Sequence, residues 1–264
     1  MTVNLHTHTV RCGHATGTER EYIERAIEGG LTDIGFSDHV PWRFPDGYES
    51  GYRVPMAKAQ DYMDTLRSLR EEYRDRIRLH IGFEMEYYPA YFSEMMAWVN
   101  ELGAEYLILG CHHINNERPN GICAGWVTDS EQTLAMYADT VAQGIRSGVF
   151  TYAAHPDIFN FCGDEDSYRK HMRQICLASA ECNVPVELNF LGLRNNRRYP
   201  RDSFWRTVAE VGCPVVFGFD AHEAKDAYDE RSLAVAERMV QRYGLRLVER
   251  PMLISPKNGE KTPL

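Results

Sequence analysis

The sequence predicts an α/β fold, a seven-stranded TIM-like (β/α)7 barrel, in a single domain over residues 1–264. Short runs typical of strands alternate with longer segments of helical periodicity along the whole chain. Strand–helix–strand units repeated in this way predict parallel strands joined by right-handed crossovers. Seven such units favour a closed or nearly closed barrel, with a doubly wound open sheet as the structural alternative.

Seven strands and seven helices account for this pattern. The predicted strands cover residues 3–5, 33–37, 78–83, 106–109, 152–154, 186–188 and 215–217. The predicted helices cover residues 19–30, 57–73, 92–102, 130–147, 168–182, 203–211 and 231–243. Thr18 and Glu21 form a capping-box pattern at the start of the first helix, and Gly29 and Gly30 end it. The tail at residues 255–264 is predicted to be peripheral.

Composition narrows the class of protein. Hydrophobic residues make up 44% of the chain and charged residues 25%, the usual balance of a globular protein. A net charge of −9 argues against binding to long nucleic acids, whose phosphates require a basic face. No signal peptide or membrane-spanning run is visible. The seven cysteines form no C-x-x-C pair, so we expect reduced thiols and a cytoplasmic protein.

Histidines and carboxylates follow the carboxyl ends of six of the seven predicted strands. In chain order they are His6, His8, His39, Glu84, His113, His155, Asp220 and His222, and His14 can reach the same place from the first loop. In a parallel barrel these strand ends meet at the face that carries the chemistry. One histidine in a loop is usually only a solvated side chain, but seven of the ten histidines cluster here. The sequence therefore predicts a shared site at this face.

The residue types in this set indicate bound metal. Imidazole is the commonest protein ligand for zinc, iron and manganese, and carboxylates bridge hard cations. Nine candidate ligands exceed the four of one tetrahedral ion. The set predicts two or three divalent transition-metal ions. Such sites activate water and neutralise a phosphoryl group during transfer, which predicts a small phosphorylated substrate.

Polar residues after the sixth predicted strand are candidates for substrate contacts. They are Asn189, Arg194, Arg197 and Arg198. A planar guanidinium binds phosphate through a fork of N–H donors that lysine lacks. Arg197 and Arg198 also fit a solvated basic loop. Arg194 is therefore the preferred phosphate contact, with the expected result that its loss weakens phosphate recognition.

Seven motifs, in order, resemble those of the polymerase and histidinol phosphatase (PHP) superfamily. They are Leu5-His-Thr-His8, Cys12-Gly-His14, Ser37-Asp-His39, Gly82-Phe-Glu84, Gly110-Cys-His-His113, His155-Pro-Asp157 and Phe217-Gly-Phe-Asp-Ala-His222. The resemblance implies a distorted seven-stranded barrel and a trinuclear centre. By motif, the first ion would take His6, His8, Glu84 and Asp220; the second Glu84, His113 and His155; and the third His14, His39 and His222.

Two ligand positions have a close competitor in the sequence. Glu86 lies two residues after Glu84 on the same strand face, but the Gly-x-Glu motif favours Glu84. His112 adjoins His113, and neighbouring side chains on a strand point to opposite faces. The motif register favours His113.

Within the superfamily the chain looks most like the stand-alone histidinol-phosphate phosphatases. That resemblance implies hydrolysis of L-histidinol phosphate to L-histidinol and phosphate in histidine biosynthesis, with Glu84, Asp220 and Arg194 as catalytic residues. Two alternatives stay open: a nucleoside phosphatase or exonuclease acting on mononucleotides or short oligonucleotides, and a non-catalytic metal-binding scaffold. The protein is expected to be a monomer or a small homo-oligomer without a membrane partner.

Overall fold

A computed structural model describes residues 1–118 and 121–264 of the chain. Its main parallel strands are β1 (Val3–Asn4), β2 (Asp33–His39), β3 (Arg78–Met85), β4 (Tyr106–Leu109), β7 (Val186–Asn189), β8 (Pro214–Gly218) and β9 (Arg246–Leu247). Two short antiparallel pairs complete the strands: β5 (His113–Ile114) with β6 (Ile122–Cys123), and β10 (Met252–Ile254) with β11 (Lys261–Pro263).

Eight α-helices connect or follow these strands in the described part of the chain. They are α1 (Glu19–Glu28), α2 (Ala59–Tyr73), α3 (Phe92–Leu102), α4 (Glu131–Arg146), α5 (Glu165–Cys182), α6 (Phe190–Arg194), α7 (Asp202–Val211) and α8 (Glu230–Tyr243). The capping box of α1 forms as predicted between Thr18 and Glu21. Seven of the eight correspond to predicted helices, and the five-residue α6 was not predicted.

The parallel strands form a curled sheet. Strands β1, β2, β3 and β4 pair in sequence order, and β7, β8 and β9 do the same. Ala153 joins the two groups through parallel bridges to Leu109 and Val186, and Thr7 bridges to Ala221 beyond the ends of β1 and β8. The α/β architecture with parallel strands is therefore confirmed. Closure into a ring of seven regular strands stays a prediction.

The predicted fifth strand, residues 152–154, is reduced to the bridge at Ala153. Its backbone still bonds to both neighbours, with Ala154 donating to Leu109 and Glu187 donating to Ala153. His155 then turns the chain with a φ of 29°, and the ring of Pro156 fixes the next φ and offers no N–H. These two residues explain why the extended segment stops after three positions.

Alternate residues of the strands pack on opposite faces of the sheet. In β4, Leu107 and Leu109 join the large core under the helices, whereas Tyr106 and Ile108 join a smaller cluster with Leu5. Burial of both faces is typical of a parallel sheet covered by helices on one side and filled on the other. The carboxyl ends of the strands are thereby held at one rim, where the site lies.

The remaining expectations concern the tail, the cysteines and the membrane. The tail is not without structure, because β11 pairs with β10, although its side chains are exposed. All seven cysteine thiols are free, as predicted. Among the described residues, the helices are too short or too polar to span a bilayer. Assignment of residues 1–264 to one domain stays a prediction.

Candidate active site

Eight of the nine predicted ligands meet at the carboxyl rim of the sheet. They are His6, His8, His14, His39, Glu84, His155, Asp220 and His222, which lie within short distances of one another. All except His14 and His222 are at least nine-tenths buried. Parallel strands place their ends side by side, so residues more than two hundred positions apart in sequence converge here. The structure thus brings these eight residues together, and their role as metal ligands stays a prediction.

Glu84 is the centre of this cluster. Its Oε1 lies 2.8 Å from His155 Nε2 and 3.4 Å from His112 Nε2. Its Oε2 lies 3.1 Å from His39 Nδ1 and 3.5 Å from His6 Nε2. His8 Nε2 also lies 3.6 Å from Oε2, so this carboxylate faces five imidazoles, two at Oε1 and three at Oε2, which is the arrangement expected of a bridging ligand.

Gly110 makes room for Glu84. A Cβ atom at position 110 would lie 2.4 Å from Glu84 Oε1, closer than non-bonded atoms approach. The glycine of the Gly110-Cys-His-His113 motif is therefore explained by the carboxylate that it faces.

Asp220 organises the other side of the cluster. Its Oδ1 lies 3.3 Å from His8 Nε2, 3.3 Å from His222 Nδ1 and 3.6 Å from His6 Nε2. On the far side of Asp220, His222 Nε2 and His14 Nε2 are 3.0 Å apart. Together with His39 they form a group of three histidines whose ring nitrogens could hold one ion. Glu84 and Asp220 are thus the two carboxylates around which the ring nitrogens of the cluster are arranged.

The cluster contains many buried polar atoms that make no hydrogen bond within the described part of the chain. Among the described residues, buried atoms without a hydrogen-bond partner include His6 Nε2, His8 Nε2, His39 Nδ1, Asp220 Oδ1 and both carboxylate oxygens of Glu84. Each such atom costs about 1–3 kcal/mol when left unsatisfied. These atoms face one another, and they are of the donor types that zinc, iron and manganese prefer. The residues present therefore fit more than one divalent ion.

The pKa values of Glu84 and His6 are shifted by the charged groups around them. Burial alone would raise the pKa of Glu84, but His112, His39 and His6 outweigh it and hold that pKa well below its usual range. Burial alone would lower the pKa of His6, but Glu187, Asp220 and Glu84 raise it well above its usual value. The carboxylates thus stay ionised, and a positive charge among them is strongly favoured.

Three other imidazoles are held neutral. Burial lowers the pKa of His39 to about 3. Burial and the neighbouring histidines also lower the pKa values of His14 and His222. Near pH 7 these rings therefore keep a nitrogen lone pair, which metal coordination requires.

The structure favours His112 over the predicted His113 as a ligand. His112 Nε2 faces Glu84, and its Nδ1 lies 2.9 Å from Glu86 Oε1. The Nδ1 of His113 instead lies 3.3 Å from the Tyr52 hydroxyl. Residues 110–112 leave β4 before β5 begins at His113, so the strand register on which the prediction relied does not continue to this position. The choice of Glu84 over Glu86 agrees with the geometry.

Arg194 does not face the cluster, which contradicts its predicted role in binding phosphate. Its Nε lies 3.2 Å from Asp226 Oδ2, its Nη1 lies 3.1 Å from Asp229 Oδ2, and its Nη2 donates to the carbonyls of Phe219 and Asp220. The short helix α6 turns this side chain towards the N-terminus of α8. The guanidinium supports the backbone beside Asp220 and leaves no fork for a substrate.

Arg194→Ala is therefore expected to act on stability. Loss of charge-assisted hydrogen bonds to two largely buried aspartates should lower the free energy of unfolding by roughly 1.5–3 kcal/mol. Denaturant unfolding of the metal-free protein measures this change, with Arg198→Ala as an exposed control that should unfold like the wild type. An alanine variant of unchanged stability whose KM alone rises would contradict this role.

Asn189 was predicted to contact substrate, but its side chain bonds only within the protein. Its Nδ2 donates to Glu187 Oε2 at 2.9 Å and to Asp220 Oδ2 at 3.0 Å, and its Oδ1 accepts from the Gly192 N–H at 3.1 Å. The amide is 1% exposed and has no free donor or acceptor pointing outward. It holds Asp220 in position.

A cavity of about 460 Å³ opens over the cluster. Arg197 lines it and donates to the Tyr199 hydroxyl at 3.3 Å. Tyr52 and His113 line the cavity as well. Arg198 lies on a separate surface with Arg201. Of the four predicted substrate contacts, Arg197 is therefore the one that reaches the cavity.

Sequence reasoning missed a layer of carboxylates behind the histidines. Glu187 Oε1 lies 2.7 Å from His6 Nδ1, and Asp38 Oδ1 lies 3.4 Å from His8 Nδ1. Glu86 takes the same place behind His112. Such partners orient ligand imidazoles in metal sites. Asp38 and Glu86 lie within two residues of predicted ligands, so their motifs could have revealed them. Glu187 lies two residues before Asn189, and no motif there points to a contact with a metal ligand.

Two relatives align with most of this chain. A probable histidinol-phosphatase of Deinococcus radiodurans is 26% identical over 83% of this chain and 85% of its own length. The histidinol-phosphatase of Bacillus subtilis is 23% identical over 84% of this chain and 93% of its own length.

Two solved structures share the fold. Histidinol phosphate phosphatase from Lactococcus lactis, complexed with zinc, L-histidinol and phosphate, superposes with a TM-score of 0.72 over 98% of both chains at 19% identity. A putative histidinol phosphatase from Listeria monocytogenes gives a TM-score of 0.73 at 20% identity, over 89% of this chain and 99% of its own.

A match to a protein-family model shows the family to which this chain belongs. The model described as the PHP domain matches residues 4–190, well over half of the chain and all the described cluster except Asp220 and His222. The chain belongs to the PHP domain family.

Proposed function

We propose that this protein is a metal-dependent phosphomonoesterase that hydrolyses L-histidinol phosphate to L-histidinol and phosphate in histidine biosynthesis. The observation that carries the proposal is the Glu84-centred cluster of unpartnered ligand atoms beneath an open cavity lined by Arg197. Family membership supports the reaction class. The substrate is supported by the names of the two relatives, each of which aligns over more than four-fifths of this chain.

Three groups of residues would hold two or three divalent ions, with zinc, iron and manganese as the candidates. The first group is His6, His8, Glu84 and Asp220; the second is Glu84, His112 and His155; and the third is His14, His39 and His222. Ions bound in such sites lower the pKa of water and neutralise the charge of phosphoryl oxygens. The protein's own part is to fix the ligands and to shape the cavity above them.

Arg197 takes over the role that the sequence gave to Arg194. Its guanidinium lines the cavity, and its hydrogen bond to Tyr199 limits the directions in which it can point. A guanidinium in this position would bind a phosphate oxygen and orient the ester over the cluster. Tyr199 in turn lies against His155, with ring centroids 6.2 Å apart, so this contact connects the arginine to the ligand set.

Replacing Arg197 by alanine should lower kcat/KM for the phosphomonoester by about 10- to 100-fold, since one charge-assisted hydrogen bond is lost. Lysine at this position should restore only part of the loss, because it supplies charge without the fork. Arg198→Ala is the matched control, since this arginine lies outside the cavity. Steady-state kinetics of the three variants measure the effect, and equal values for the two alanine variants would remove Arg197 from the site.

The proposed substrate is tested with a panel of phosphomonoesters. The metal-loaded protein is assayed for phosphate release from L-histidinol phosphate, nucleoside monophosphates and short oligonucleotides. We expect kcat/KM to be highest for L-histidinol phosphate by at least about 100-fold, or roughly 2.7 kcal/mol of transition-state discrimination. Preference for a nucleotide would favour the nucleoside phosphatase or exonuclease, and no turnover of any ester would favour the scaffold.

The cellular location and the oligomeric state of the protein are expectations that follow from this proposal. A histidine-biosynthetic enzyme with free thiols is expected in the cytoplasm. A monomer or small homo-oligomer stays the prediction for its assembly state.

A further inference from the structure

We infer that Glu187 is a positioning residue that fixes three of the proposed metal ligands at once. Glu187 lies in β7 and is completely buried. Its Oε1 accepts from His6 Nδ1 at 2.7 Å. Its Oε2 accepts from the backbone N–H of His155 at 3.0 Å and from Asn189 Nδ2 at 2.9 Å. The inference rests on the proposed binding of metal by the cluster.

Asn189 extends the reach of Glu187 to a third ligand. The same Nδ2 group that donates to Glu187 also lies 3.0 Å from Asp220 Oδ2. An amide nitrogen carries two N–H donors, so one can be directed to each carboxylate. Glu187 thereby connects His6 after β1, His155 after the Ala153 bridge and Asp220 after β8. These residues come from three separate parts of the chain.

The contact with His6 sets which ring nitrogen can bind metal. An ionised carboxylate only accepts hydrogen bonds, so His6 must donate through Nδ1. With Nδ1 engaged in this way, Nε2 is the ring nitrogen that can offer a lone pair to a metal ion, which would displace the proton that the carboxylates otherwise favour there. That atom lies 3.5 Å from Glu84 Oε2 and 3.6 Å from Asp220 Oδ1, and it has no hydrogen-bond partner. Glu187 therefore presents His6 to the cluster in the form that coordinates a cation.

His155 and Asp220 need support because both have unfavourable backbone conformations. Their φ values are 29° and 47°, in the left-handed region that residues with a side chain rarely adopt. The N–H of His155 is held by Glu187, and the carboxylate of Asp220 is held through Asn189. One buried carboxylate thus helps to keep both ligands in conformations that the chain would otherwise leave.

The fold leaves space for this carboxylate. Gly218 pairs with Asn189 between β8 and β7, and a Cβ atom there would lie 1.8 Å from Glu187 Oε1. A larger residue at position 218 would displace the glutamate from His6. The glycine of the Phe217-Gly-Phe-Asp-Ala-His222 motif is explained in this way.

Glu187→Gln tests the inference with almost no change in size. A carboxylate offers two acceptor oxygens, whereas an amide offers one acceptor and one donor. Whichever way the amide is turned, its NH₂ group meets either the ring N–H of His6 or the N–H groups of His155 and Asn189. The dissociation constant of the most affected ion should therefore rise about 10- to 100-fold.

The measurement is zinc binding to the metal-free protein by competition with a chromogenic chelator, together with the visible spectrum of the cobalt-loaded protein. Asp33→Asn is the matched control, because Asp33 is an equally buried carboxylate that bonds to Arg78 and His80 at the opposite end of β2. It should lose stability but keep the wild-type zinc affinity and cobalt spectrum. An unchanged zinc affinity and cobalt spectrum in Glu187→Gln would overturn the inference.

The wild-type protein gives an independent test that needs no variant to fold. In the zinc-loaded protein, ¹H–¹⁵N correlation through the imidazole rings should show His6 protonated at Nδ1. Protonation at Nε2 would overturn the role of Glu187. If the wild-type protein binds no zinc, the proposed function fails instead, so the two failures can be told apart.

Discussion

Replacing Glu84 by glutamine is expected to lower kcat/KM for L-histidinol phosphate by at least about 1000-fold, equivalent to roughly 4 kcal/mol of transition-state stabilisation. Glu84 faces His155 and His112 with one oxygen and His39 and His6 with the other. The amide keeps the shape of the side chain but loses the negative charge that would be shared between ions. Steady-state kinetics and elemental analysis of the variant measure both consequences.

Glu86→Gln is the matched control, two residues further along the same strand. Glu86 lies behind His112 and forms a buried ion pair with Arg53 at 2.8 Å. Its replacement should lower activity by about 10- to 100-fold, as is usual for a group that orients a ligand. Equal losses of activity in both folded variants would contradict a bridging role for Glu84.

The second large effect is a difference in metal content and activity between the alanine variants of the adjacent residues His112 and His113. His112→Ala should lose one ion and at least about 100-fold in kcat/KM, since a ligand to the cluster is removed. His113→Ala should retain the metals and lose less than about 10-fold, because its ring contacts Tyr52 at the wall of the cavity. Metal content and kinetics are measured side by side on the two variants. The reverse order of losses would restore His113 as the ligand.

The sequence predicted the strands and helices well because their hydrophobic periodicity is a local property. It also predicted the convergence of eight candidate ligands, because parallel strands place their ends at one rim whatever the details of the loops. Glu84 was distinguished from Glu86 by its motif, and the geometry agrees.

The incorrect assignments lie where the chain leaves regular structure. His112 and His113 follow an irregular turn after β4, and there the alternation of side chains no longer holds. Arg194 was misplaced because α6, only five residues long, begins directly after β7 and turns the arginine towards Asp229. Asn189 was predicted to contact substrate, since nothing in the sequence reveals that both ends of its amide are occupied within the protein.

The central claim is that Glu84 lies between ions held by His6, His8, His112, His155 and Asp220. The most direct measurement is anomalous diffraction from crystals grown with zinc, recorded on both sides of the zinc absorption edge. We predict at least two peaks per chain, one on each side of the Glu84 carboxylate, with His112 Nε2 about 2.0–2.1 Å from one of them. No peak at the cluster, or a peak that His113 coordinates while His112 does not, would contradict it.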